Sequence, residues 1–281
     1  MNKTKLLSVL LLFVVASCTE RIDVKLDESY TRLIIDGSIT TDLAPSVVTL
    51  TKSSGYFSNA PSPKVTGATV TLFDGTTLYQ LTETVPGKSG MYSSRDPLPG
   101  KAGKEYTLHV EMPEAISGHT SYEAACILNP VASIDSVTVT FHPDWGNNGI
   151  WSINLYAQEP GNQENFYLFN WFRNGVPMSD SIQEKIVMDD KFISGKYIAG
   201  LNIFDIDNTH KWETLKPGDT ITLQMSGITK GYLNFISQVQ QAGFNIPFFT
   251  GPPANVQGNV GSGGSGYFAA YSNSYATTIV R

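Results

Sequence analysis

Short runs of β-branched and aromatic residues alternate with polar ones along most of the chain. Leu33-Ile34-Ile35, Val47 to Leu50, Ala68 to Phe73, Tyr106 to Val110 and Ser121 to Leu128 each read as a strand of period two. Asp36-Gly37, Asp74-Gly75, Pro86-Gly87 and Pro99-Gly100 supply turn residues between them. Strands at this spacing, joined by hairpin-type turns, predict a β-sandwich rather than alternating β and α units. The pattern pauses at Asn129-Pro130 and resumes in Ile134 to Phe141, Ile150 to Ala157, Asn165 to Arg173, Ile182 to Met188 and Thr220 to Met225. The expectation is mainly β: a transthyretin- or immunoglobulin-like sandwich over 30–130, then a second β-rich unit over 131–281.

One stretch departs from period two. Between Thr229 and Ala242, Tyr232, Phe235, Ile236 and Val239 recur at offsets of three and four, predicting an amphipathic helix over about 229–242. Thr229 is placed to cap its start and Gly243 to end it, with Lys230, Asn234, Gln238 and Gln241 on the wet side. Beyond it, Phe248-Phe249 and Pro252-Pro253 form a stiff connection, and Gly261 to Gly266 a loose one. Tyr267 to Tyr271 and Thr277 to Val280 then read as one or two closing strands.

The N-terminus carries an address. Lys3 and Lys5 precede an 11-residue run, Leu6 to Ala16, that is apolar apart from Ser8. A spanning helix needs roughly 20 residues, so this run is a signal peptide rather than an anchor. It ends in Val15-Ala16-Ser17-Cys18, which resembles a bacterial lipobox. Cleavage after residue 17 would leave Cys18 diacylated at the head of an 18–29 tether. The chain beyond is then a body on a lipid, in the outer membrane. Glu20 and Asp23 soon after the cysteine resemble a surface-export signal. The run is thin and broken by Arg21, and it tips the expectation toward the cell surface rather than the periplasmic face.

Composition narrows the chemistry. There are 19 Lys and Arg against 25 Asp and Glu, a formal charge of −6, which excludes the basic face that nucleic-acid binding requires. With Cys18 lipidated, Cys126 is the remaining thiol, and its alternation with Tyr122, Ala124 and Leu128 marks it as a small buried residue. Gly258 to Gly266 has no Lys following it to complete a phosphate loop. Gly263-Gly264-Ser265-Gly266-Tyr267 has Tyr where a nucleophile elbow needs Gly. His109, His119, His142 and His210 show no metal-ligand spacing. Asp205 and Asp207, with Asn208 beside them and Asp189-Asp190 upstream, offer oxygens to a hard cation. They lack the Gly and distal Glu of a calcium loop and read rather as loop acids. No cofactor and no catalytic residue is expected.

Aromatic residues give the ligand candidates. Phe166, Tyr167, Phe169, Trp171 and Phe172 fill both faces of one strand, as a strand buried between a sheet and the helix would. The sharper alternative makes Tyr167 and Trp171 an open stacking platform for a glycan or peptide. Tyr56-Phe57 lie in a Ser-, Gly- and Asn-rich loop and are candidates for contact with a ligand or receptor, as are Phe248 and Phe249.

The arrangement resembles the domain of unknown function 4249 family. The matching pieces are Leu33-Ile34-Ile35-Asp36-Gly37-Ser38-Ile39-Thr40, Val65-Thr66-Gly67-Ala68-Thr69-Val70, Gly90-Met91-Tyr92, Gly103 to Leu108, Gly251-Pro252-Pro253-Ala254-Asn255 and Gly266-Tyr267-Phe268-Ala269-Ala270. Their order over the mature chain carries the resemblance; each is short. The resemblance implies a cell-envelope lipoprotein of Bacteroidota, often found beside TonB-dependent receptors, with no established catalytic residues. The expected function is a non-enzymatic binding or accessory component working with such a receptor in nutrient uptake. A structural or adhesive cell-surface protein, and a hydrolase whose site is not visible in sequence, stay open.

Overall fold

The computed structural model describes residues 31–54, 60–179, 181–207, 214–243 and 256–281. The chain is mainly β, with one α-helix. The N-terminal strands are β1 (Leu33–Thr40), β2 (Val47–Lys52), β3 (Thr69–Phe73), β4 (Leu78–Glu83), β5 (Met91–Ser94), β6 (Glu105–Ile116) and β7 (His119–Ile127). There follow β8 (Ile134–His142), β9 (Ile150–Gln158), β10 (Phe166–Arg173), β11 (Val176–Pro177), β12 (Ile186–Asp189), β13 (Tyr197–Asp207), β14 (Thr220–Ile228), α1 (Lys230–Gly243) and β15 (Ser265–Ile279).

Alternation builds the strands. In β6, Tyr106, Leu108 and Val110 are buried, and in β7 Tyr122, Ala124 and Cys126 are buried opposite them. Turn chemistry sets the connections. Between β3 and β4, Asp74 Oδ1 accepts from the backbone N–H groups of Thr76 (2.9 Å) and Thr77 (2.8 Å), while Gly75 takes φ +88°. Between β4 and β5, the Glu83 carboxylate accepts from the N–H groups of Gly87, Ser89 and Gly90 at 2.9–3.1 Å.

The large sheet runs β11-β10-β14-β15-β1-β2-β5-β4-β3-β6-β7, with β12 also on β10. A second sheet runs β13-β9-β8. The joint is β15. Its first half pairs in parallel with β1, from Ile34–Ser265 to Thr40–Tyr271, and its second half pairs antiparallel with β14, from Gly227–Ser272 to Thr220–Ile279. The expected one or two closing strands are therefore one strand that joins both sets.

Two cores flank this joint. The first gathers β1 to β7 with Phe268, Ala269 and Ala270 of β15. It closes where β7 returns to β15: Ala270 N–H donates to Cys126 Sγ (3.3 Å), and Asn129 bridges to Tyr271. The second packs β8, β9 and β13 against β10 and β14, through Ile153, Leu155, Phe169, Leu223 and Met225.

Helix α1 begins as expected, with Thr229 Oγ1 accepting from Tyr232 N–H at 3.2 Å. Its fully buried Ile236 packs on Leu168 and Ile228, on the far side of β10 from the second core.

Three expectations change. Asp205 and Asp207 are not in a loop. They lie on β13, whose Ile203, Phe204 and Ile206 are buried and whose two bulges, one at Gly200, obscure the period of two. The Ile182 to Met188 run divides into a 3₁₀ turn, Ile182–Glu184, capped by Ser181, and the short β12. The glycine run before β15 is docked rather than loose. Gly261 N–H donates to Glu123 O (2.8 Å), and the Asn259 side chain bonds Ala125 O and both backbone groups of Phe268 at 2.8–3.0 Å.

Candidate functional site

The outward face of the large sheet, beside α1, carries a continuous row of polar side chains. Asn170 (β10), Gln224 (β14) and Tyr275 (β15) stand directly opposite one another in neighbouring strands, as do Ser226 and Asn273 one step along. Period two puts all five on one face. Asn170 Nδ2 donates to Gln224 Oε1 (3.0 Å), Gln224 Nε2 to Tyr275 Oη (3.2 Å), and Tyr275 Oη to Asp42 Oδ2 (2.8 Å). Asn273 Nδ2 donates to the same Asp42 oxygen (2.7 Å) and its Oδ1 accepts from Ser226 (2.6 Å). At the other end Ser179 Oγ and Lys185 Nζ approach Asn170 Oδ1 at 3.2 and 3.5 Å. A sheet face covered by an apolar layer would carry apolar side chains here; these polar ones satisfy one another instead, Gln224 and Ser226 while buried.

Aromatic rings from α1 and β15 form a wall beside it. Tyr232 lies 4.9 Å from Tyr267 and 6.3 Å from Tyr271, centre to centre, the latter pair nearly parallel at 12°. Phe235 stacks on Tyr232 and meets Tyr267 at 5.2 Å. Helix and 3₁₀ turn are tied together by Gln240 Nε2, which donates to the carbonyls of Ile182 (2.9 Å) and Lys185 (2.8 Å).

Asp36 of β1 points to the same face, opposite Tyr267 in register. Its carboxylate is exposed and makes no hydrogen bond among the described residues, yet the protein crowding it pushes its pKa above the usual range, against the pull of Lys185. Burial likewise pushes the Lys185 ammonium down, and Asp36 opposes that shift. No ion pair joins the two among the described residues. Asp36 stands beside the aromatic wall through its register with Tyr267, and Lys185 at the end of the polar row through Asn170. Burial raises the Tyr232, Tyr271 and Tyr275 hydroxyls, the last also through its bond to Asp42, so all three are neutral donors.

The aromatic candidates fare differently. Tyr167 (2% exposed) and Trp171 (6%) face the second core, Trp171 against Phe204, and no ring face is left for stacking a ligand. The strand is buried on two sides, and the open-platform alternative is corrected accordingly. Cys18, Tyr56, Phe57, Phe248 and Phe249 lie outside the described residues. Asp205 and Asp207 are exposed on β13, Asp205 accepting from Asn202 at 2.7 Å; among the described residues no three metal-binding side chains converge.

A second polar group is sealed inside. Glu159 (2% exposed) accepts from Tyr167 Oη (2.6 Å) and Asn165 Nδ2 (3.0 Å), and Asp190 (4% exposed) shares that amide at 3.3 Å. Burial, with Asp190 close by, pushes the Glu159 carboxyl up. This is a close Asp/Glu pair, but it is shut away from any substrate.

The polar row is not visible in sequence because its members span residues 42 to 275 and meet only through strand pairing and the turn after β1. One signal was available: Tyr267, Tyr271, Asn273, Tyr275 and Thr277 alternate as a polar-aromatic stripe along β15, and Asn170 interrupts an otherwise aromatic run.

No curated protein matches the chain. Two solved chains described as a cytokine receptor complex, in crystal form 1A and crystal form 2, align at 12% identity over 70% of this chain. They are covered over 85% and 92% of their own lengths, at TM-scores of 0.26 and 0.27, too low to establish a shared fold. A family model described as a domain of unknown function (DUF4249) matches residues 19–277, and the chain belongs to that family.

Proposed function

We propose that this protein is a non-enzymatic binding component of the outer membrane, held by a lipid on Cys18, which presents a polar ligand to a TonB-dependent receptor during nutrient uptake. The observation that carries the binding part is the polar row with its aromatic wall beside α1. A sheet face with a row of amide, hydroxyl and carboxylate groups beside an aromatic wall has the composition of a small-molecule site. The lipobox-like sequence supports the anchor, and family membership accords with the envelope setting. Confining the protein to the membrane plane raises its effective concentration beside a receptor in the same bilayer.

Metabolic labelling with an alkyne fatty acid tests the anchor. Label and detergent-phase partitioning are expected in the wild type and lost in Cys18→Ser. Binding is tested by measuring retention of small polar ligands from the culture medium by the purified protein. Asn170→Leu, Gln224→Leu and Tyr275→Ala are expected to reduce it at least tenfold. Retention unaffected by all three variants overturns the assignment of the site. Co-purification of other copies of the chain, with no ligand and no receptor, favours the adhesive reading.

A further inference from the structure

We infer that a second site lies along the open side of the second core, between β8 and β15, and takes an extended peptide as an added strand. An acidic side chain at one end of that peptide meets Arg281. This site does not depend on the polar row.

A cavity of about 700 Å³ is lined by residues 138–141 of β8, by Trp151, by residues 277–279 of β15 and by Arg281. Consecutive residues of a strand point to opposite faces, so a cavity touching several in a row runs along the strand's edge. β8 is the outermost strand of its sheet. β15 parts from β1 after the Thr40–Tyr271 pair, and from Ser272 on β14 is its one strand neighbour among the described residues. Ile134 N–H donates to Ser274 Oγ (2.9 Å), tying the two strands at one end, and the cavity opens beyond that tie.

Strand edges present main-chain N–H and C=O groups, which are what an added strand pairs with. Stacked sheets lie about 10 Å apart and neighbouring strands about 4.8 Å, so one strand fits between these two edges. A second copy of the chain does not suit the slot, because its β8 brings β9 along and its β15 brings β14. A linear peptide has both edges free. Neither bank is guarded: Val137 to Phe141 and Ser272 to Ile279 hold no charged residue and no Pro, the residues that ordinarily keep exposed edges from pairing.

The walls set the preferred side chains. Phe141 and Trp151 stand opposite one another in register with rings 4.9 Å apart, and a Cβ at Gly149 would overlap the Phe141 ring, which packs there. Val139 shares their face of β8, and Ile279 stands on the other bank; Phe141 is 40% and Ile279 60% exposed. Alternate apolar side chains of an added strand would cover this surface. Arg281 is the one charged residue on the walls, just past Ile279, and a guanidinium takes a carboxylate as its strongest partner.

The test incubates the purified full chain with a pool of N-acetylated, C-amidated heptapeptides that alternate Val, Ile or Phe with Thr or Ser and carry Glu at one end. Retained species are read by native mass spectrometry, and at least one should bind one-to-one. N-methylating one alternate set of its amides keeps every side chain but removes strand donors, and should lower retention at least tenfold. Ile279→Arg should do the same. Replacing the peptide's Glu by Gln, or Arg281→Gln in the protein, should each lower retention severalfold, with no further loss when the two are combined. Hydrogen exchange should slow on binding within 137–141 or 274–279. Ile279 and Arg281 are exposed, so urea melts of both variants should match the wild type and separate lost binding from lost fold. No retained peptide, retention indifferent to N-methylation of either set, or unchanged exchange on both banks overturns the proposal. Self-association of the chain that Ile279→Arg abolishes also overturns it, by making the occupant a second copy.

Discussion

Gln224 stands between Asn170 and Tyr275, its side-chain oxygen accepting from the first at 3.0 Å and its amide donating to the second at 3.2 Å, on three strands in strict register. Only 8% of Gln224 is exposed, so a leucine there would fit the space and strand the half-buried Asn170 amide. Gln224→Leu is expected to destabilise by about 1–3 kcal/mol, the cost of a polar group left without its partner. Tyr275, 45% exposed, gives up two bonds, one accepted from Gln224 and one donated to Asp42, at a position water reaches, so Tyr275→Phe should cost less, about 1 kcal/mol. Urea titrations of the two variants check the contrast. Both midpoints equal to that of wild type would mean that the row contributes nothing to stability.

Gly266 lets β15 join β1. It adopts φ +94°, and a Cβ there would overlap the Ile35 carbonyl oxygen, which belongs to the strand it pairs with. Gly258 approaches from the other side, where a Cβ would overlap the Gly266 carbonyl. Gly266→Ala combines a left-handed backbone cost of about 1–2 kcal/mol with an overpacking cost of about 1–3 kcal/mol. The expected outcome is a loss of roughly 2–5 kcal/mol in urea. Gly263, also at positive φ but with open space around its Cβ position, should lose only the backbone part as Gly263→Ala.

The sealed Glu159–Asp190 pair makes stability depend on pH. The Glu159 carboxyl is pushed above its ordinary value of 4.5, chiefly by burial, so the folded chain holds that proton more tightly than the unfolded one. Between 4.5 and the raised value the folded state binds more protons, and stability falls as pH rises through that interval. Glu159→Gln, which imitates the protonated form, should flatten this slope and unfold at higher urea than wild type at pH 8. Tyr167→Phe removes the 2.6 Å donor and should cost about 1–3 kcal/mol at neutral pH, where the carboxylate needs it. Urea midpoints measured from pH 4 to pH 8 decide. A wild-type slope that survives in Glu159→Gln would place its source elsewhere.

Most strands were legible because a half-buried sheet writes its burial into every second residue. Tyr106, Leu108 and Val110 on β6 face Tyr122, Ala124 and Cys126 on β7 as their alternation implies. The helix was legible through its change of period and its Thr229 cap. β13 was not, because the bulges after Ala199 and after Asn202 shift the alternation partway along it. Nor was the double use of β15: seven residues bound to one neighbour and eight to another look the same in sequence as one ordinary strand. The polar row failed for the same reason. Asn170, Gln224 and Tyr275 are far apart along the chain, and nothing local to any of them says that strand pairing will set them side by side.

The closure of the first core is reported by one sulfur. Cys126 is buried on β7, accepting the N–H of Ala270 at 3.3 Å, and burial pushes its thiol up, so little thiolate exists at neutral pH to react. In a Cys18→Ser background, where this is the single cysteine of the chain, an aromatic disulfide reagent should label it only on unfolding, with a labelling midpoint in urea that matches the fluorescence midpoint. If β7 separates from β15 before the rest unfolds, labelling will precede fluorescence, and the gap between the midpoints measures the stability of that seam. Cys126→Ala tests the packing side of the same contact. It removes one sulfur from a filled site and leaves the Ala270 N–H without an acceptor, for an expected loss of about 1–3 kcal/mol. A thiol that reacts in the folded protein at the rate of a small-molecule thiol would show that the β7–β15 seam is open in solution.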